Sequence, residues 1–75
     1  MDIQKFVENV KEQFDDVPEN FGVNTHFREL DEWSSLAALS IIAMVDDEYG
    51  IIITGDEIRK AETIQDLFNL VSDKI

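Results

Sequence analysis

The sequence predicts an all-α fold, a small bundle of three longer helices and one short one. Three observations carry that expectation. Apolar residues recur at helical spacing in three separate segments. Helix-boundary residues punctuate those segments: Pro18, Ser34, Gly50, Thr54 and Thr63. The one run that invites a strand, Ile51-Ile52-Ile53, has no second strand with which to pair.

Each element can be read in order. Ile3, Phe6, Val7, Val10 and Phe14 form one apolar stripe, so the first helix runs from about Asp2 to Phe14. Asp15-Asp16-Val17-Pro18 ends it, because proline disfavours helical geometry in the residue before it. Residues 15–33 lack sustained periodicity and form a long loop, pinned to the core by Phe21, Val23, Phe27 and Leu30. Uninterrupted loops of this length are uncommon in compact domains. The second helix starts at Ser34 or Ser35 and runs to Tyr49, with Ser34 a good N-cap and Gly50 placed for a left-handed C-cap. Its core stripe is Ala38, Ile41, Ile42, Val45 and Tyr49. A second stripe, Leu36, Leu39 and Ala43, continues into Asp47 and is flanked by Ser40. So small a domain rarely buries both, and exposed apolar groups rimmed by acids tend to mark a binding surface. The three isoleucines form an extended connector that drops side chains into the core. Thr54 and Glu57 have capping-box spacing, which predicts a short third helix over Asp56–Lys60. Thr63 caps a fourth helix whose stripe is Ile64, Leu67, Phe68 and Val71, reaching Ile75 at its end.

Composition bounds the function. The chain has 75 residues, which suits one domain with a thin core. Five Phe, one Trp and one Tyr within 44% hydrophobic residues argue against disorder. The absence of cysteine removes disulfides, thiolate metal sites and a cysteine nucleophile together. The start, Met1-Asp2-Ile3-Gln4-Lys5, does not resemble a signal peptide, and no segment is long and apolar enough to span a membrane. The expectation is a soluble, monomeric, cytoplasmic protein. Seventeen acids against six bases give a formal charge of −11, which repels nucleic-acid phosphates and anionic membranes. From Glu29 to Glu57 there are eight acids and no Lys or Arg. Such a distribution suits either a solvated surface or a face that docks on basic partners.

Catalysis finds little support. Serine hydrolysis needs a base and an orienting group, and the only histidine is His26 in the long loop. One His without Cys also disfavours a transition-metal site. Asp46 and Glu57 stand at positions 1 and 12 of a calcium-loop pattern, but Ile51 occupies the position that requires glycine. No metal site and no enzyme are expected.

The segment Glu32-Trp33-Ser34-Ser35-Leu36-Ala37-Ala38-Leu39 resembles the prosthetic-group site of acyl carrier proteins, most closely the branch reading Trp-Asp-Ser-Leu-Ala. Asp46-Asp47-Glu48-Tyr49, Ile53-Thr54-Gly55-Asp56-Glu57 and Thr63-Ile64-Gln65-Asp66 resemble the family's later landmarks in register. The resemblance implies the acyl-carrier four-helix bundle and a covalent 4′-phosphopantetheine arm. Alignment through Leu36 and Tyr49 places that arm on Ser35 rather than Ser34, with Ser34 standing where the family has aspartate. A separate phosphopantetheinyl transferase would attach the arm from coenzyme A, and synthase or acyl-transferring enzymes with basic docking patches would read it. The partner face would comprise Leu36, Leu39, Ala43, Asp46, Asp47 and Glu48. An acyl chain would shelter between the second and third helices near Ile53, Ile58 and Ala61. The implied role is an acyl carrier for fatty-acid or related synthesis. Two other roles stay open: a carrier loaded with an amino acid or other acid by a dedicated ligase, and an unmodified acidic adaptor.

Overall fold

A computed structural model describes every residue from Met1 to Ile75. It contains α1 (Ile3–Lys11), a 3₁₀ turn (Phe27–Glu29), α2 (Ser35–Tyr49), α3 (Gly55–Lys60) and α4 (Ile64–Asp73), with no strand. The expected bundle of three longer helices and one short one is present.

The Asp2 carboxylate caps α1 by accepting the Gln4 N–H at 3.0 Å. The helix stops at Lys11, three residues before the predicted end. Gln13 and Phe14 donate instead to the carbonyls of Val10 and Lys11, tightening the chain into turns. The next two N–H groups, of Asp15 and Asp16, donate to the Glu32 carboxylate. Phe14 nevertheless stays buried, so its place in the apolar stripe holds while its place in the helix does not.

Ser34 is the N-cap of α2, and its hydroxyl accepts from the Ala37 N–H. Gly50 closes the helix with φ of 67°, a conformation in which a side chain would be strained. The buried face differs from the predicted stripe. Ala37, Ile41, Met44 and Val45 are the buried residues, whereas Ala38, Ile42 and Tyr49 are half-buried. A helix apolar around most of its circumference carries no strong record of which side faces inward.

The connector drops Ile53 and, in part, Ile51 into the core as expected, while Ile52 turns outward. Extended backbone alternates its side chains, so three consecutive residues cannot share one side. α3 begins one residue before the predicted start and carries a full capping box between Thr54 and Glu57. A second capping box joins Thr63 to Asp66 at the start of α4. α4 ends at Asp73, and Ile75 lies exposed beyond it rather than completing the stripe.

The core joins Phe6 and Val10 of α1 to Ile41 and Val45 of α2, Ile58 of α3, and Ile64, Leu67 and Val71 of α4. Phe6 packs edge-on against Phe68, with centroids 5.5 Å apart, and also approaches Tyr49.

The long connection between α1 and α2 is organised. Phe27 is fully buried and meets the Trp33 ring edge-on at 5.3 Å, while Phe21 and Leu30 pack at the core margin. Val23 contributes through its backbone: its carbonyl accepts the Gln65 N–H, and that of Thr25 accepts the Ile64 N–H. Those donors belong to the first turn of α4, where no intrahelical acceptor exists. Arg28 Nε donates to the Ala61 carbonyl at 3.0 Å, tying the 3₁₀ turn to the end of α3.

Candidate functional site

The two serines at the head of α2 have different environments. The Ser34 hydroxyl is engaged by the Ala37 N–H at 3.3 Å, so its acceptor capacity serves the helix. Ser35 is the first helical residue and is exposed, with no hydrogen bond to its hydroxyl. The backbone N–H groups of Ser35 and Leu36 also lack acceptors, because the first bond into the helix is that of Ala38 to Ser34. The first turn contains no acid. Two free donors, the positive end of a 15-residue helix dipole and an exposed hydroxyl therefore coincide. A phosphodiester is an anion suited to that setting, so the residues present fit a phosphate-linked group.

Along α2, the second stripe faces outward, as expected of a domain too small to bury both stripes. Leu36 is 74% and Leu39 60% exposed, and Ala43 and Asp47 lie exposed on the same line. Asp46, Asp47 and Glu48 are all exposed in the last turn, which holds no base. Ile52, 64% exposed, is a further outward apolar residue, one that the sequence analysis did not single out. The strict alternation of an extended segment was the signal that could have found it.

The implied shelter between α2 and α3 is closed. Ile53, Ile58 and Ala61 are members of the core, each at most 5% exposed. An apolar occupant would have to displace those packed contacts. The cleft of about 410 Å³ between α1 and α2 is lined mainly by polar groups, including Asn9, Gln13, Ser40 and Asp47, and does not suit one. His26 faces Glu29 at 3.7 Å across the 3₁₀ turn.

Two carboxyls are held below their usual range. For Glu57 the first cause is the Lys74 ammonium, at 2.9 Å, followed by the Thr54 N–H. For Asp66 it is the Glu62 N–H, followed by that of Thr63. Both bind helix starts together, away from the serines in sequence.

An exposed hydroxyl at an anion-ready helix start in an all-helical bundle suits covalent attachment of a phosphate-linked group. The sequence profile of the phosphopantetheine attachment site matches residues 4–71, and the chain belongs to that family. No curated protein and no solved structure gives a significant match. Family membership makes this a carrier that holds 4′-phosphopantetheine covalently. Such carrier domains are not themselves catalytic, and they work with phosphopantetheinyl transferases and synthases. The arm supplies a terminal thiol, the group that a chain without cysteine lacks. No helix is long and apolar enough to cross a membrane.

Proposed function

We propose that the chain is an acyl carrier protein whose arm is attached to Ser35. Acyl intermediates would travel as thioesters on that arm to enzymes of fatty-acid or related synthesis. The observation that supports Ser35 is the division of labour between neighbours: Ser34 spends its hydroxyl on the cap, while Ser35 stands free beside two unpaired N–H groups. The serine needs no activating base of its own, because a separate transferase performs the chemistry. Leu36, Leu39 and Ala43, followed by Asp46, Asp47 and Glu48, form the face offered to that transferase and to synthases with basic docking patches.

The test is incubation of the unmodified chain with coenzyme A, magnesium and a broad-specificity phosphopantetheinyl transferase. The intact mass should rise by one arm. Ser35→Ala should abolish the increase, and Ser34→Ala should retain it. Continued modification of Ser35→Ala would overturn the assignment.

A further inference from the structure

Glu32 is exposed, three residues ahead of Ser35, and yet both of its carboxylate oxygens are engaged. One accepts the Asp15 N–H at 2.8 Å and the other the Asp16 N–H at 2.9 Å. The contact crosses 17 and 16 residues of sequence and joins the exit of α1 to the approach of α2. It also brings the Glu32 charge close to the backbone of two aspartates. Like charges gathered in this way repel, so the arrangement is held by the two charge-assisted bonds against that repulsion.

The residues that follow are each held from a different direction. The Trp33 ring meets Phe27 edge-on, and the Trp33 backbone N–H donates to the Leu30 carbonyl at 3.0 Å. Ser34 caps α2. The chain leading to Ser35 is thus fixed to α1 by Glu32, to the 3₁₀ turn by Trp33 and to α2 by Ser34. The Glu32 carboxylate makes the side-chain hydrogen bonds that join this approach to the exit of α1.

We propose that Glu32 is a positioning residue for arm attachment, fixing the segment that presents Ser35 to the transferase. The proposal rests on the assignment of the arm to Ser35. Populations set the size of the effect. An enzyme that requires one geometry of a segment binds more weakly when only a fraction of molecules hold it, by a factor equal to that fraction. Once the segment is bound and ordered, the chemical step is unaffected. Loss of the clamp should therefore appear in KM and leave kcat alone.

Substitution at an exposed position leaves no cavity, so the fold is expected to survive. Glu32→Gln retains one acceptor oxygen and loses the charge, whereas Glu32→Ala loses both oxygens. Steady-state arm attachment would be measured on the full unmodified chain, with coenzyme A and magnesium saturating and chain concentration varied. Amide exchange at Asp15 and Asp16 would be followed by NMR, and Ser35→Ala would run in parallel. Glu32→Ala should raise KM roughly three- to tenfold at unchanged kcat, with faster exchange at both amides. Glu32→Gln should fall between Glu32→Ala and the unsubstituted chain. An unchanged KM in Glu32→Ala, with both amides released, would overturn the positioning role while leaving Ser35 standing. Equal KM values for Gln and Ala would also overturn it, because lost charge rather than lost clamping would then explain the effect. Modification of Ser35→Ala would instead overturn the serine assignment, and this proposal with it.

Discussion

The side-chain amide of Asn9 donates to the Tyr49 hydroxyl at 3.0 Å, joining the last turn of α1 to the last residue of α2. Asn9 is the one buried polar residue of the chain. A buried amide that loses its partner incurs a desolvation cost, so the pair should matter more when broken than when replaced. Tyr49→Phe is expected to destabilise the fold by about 1–2 kcal/mol. Adding Asn9→Leu should recover part of that loss. Urea unfolding of the two single variants and the double variant gives the coupling directly.

The two serines should separate under stability measurements as cleanly as under modification. Ser34→Ala removes a cap and should cost about 1 kcal/mol. Ser35→Ala removes a hydroxyl that bonds to nothing and improves helix propensity, so it should cost nothing measurable. Thermal melting of both variants checks the contrast. A larger loss in Ser35→Ala would reverse the assigned roles.

Acid should weaken the contacts made by Glu57 and Asp66. Both groups have folded-state pKa values below their unfolded ones. Their contribution is present above the unfolded carboxyl values, near pH 4, and disappears as pH falls through the folded values. Glu57→Gln and Asp66→Asn should therefore melt below the unsubstituted protein at pH 7. The gap should close as pH drops below about 4. A gap that persists at low pH would assign the effect to packing rather than to charge.

Docking on α2 should divide into rate and residence. Asp46, Asp47 and Glu48 oppose the helix dipole in the last turn, which mildly harms folding and makes a role in binding easier to understand. Asp46→Lys combined with Asp47→Lys should slow association with the transferase and flatten its salt dependence. Leu36→Ala should instead speed dissociation, by about 1–2 kcal/mol of lost contact. Surface-binding kinetics at two ionic strengths distinguish them. Unchanged association of the lysine variant would reduce the acidic cluster to a solvated surface.

Local chemistry made much of the fold legible. Gly50, Thr54 and Thr63 mark helix boundaries because each does its work within a few residues of itself. What escaped was decided at a distance. The early end of α1 accompanies the engagement of Asp15 and Asp16 by Glu32, a partner that no local pattern reveals. The 3₁₀ turn at Phe27–Glu29 is too short to leave a periodicity, and Phe27 announces only that something there is buried. The rotation of α2 toward Ala37 and Met44 follows from neighbours rather than from its nearly uniform apolar surface. At the site, the Ser34 cap and the outward stripe of Leu36 and Leu39 followed from local pattern and domain size, whereas the free hydroxyl of Ser35 emerges only in the folded helix start.

The carbonyls of Val23 and Thr25, which receive the first N–H groups of α4, have a consequence for how the chain comes apart. A terminal helix is usually the easiest part of a domain to shed, because only its packing face holds it. Here the last helix is begun by residues from the first half of the chain, roughly forty positions earlier. Peeling α4 away from its start means releasing the connection between α1 and α2 as well, and that connection also carries Phe27 in the core and Arg28 on Ala61. Partial opening at that end is thereby coupled to loss of the centre, which favours all-or-none unfolding over stepwise fraying.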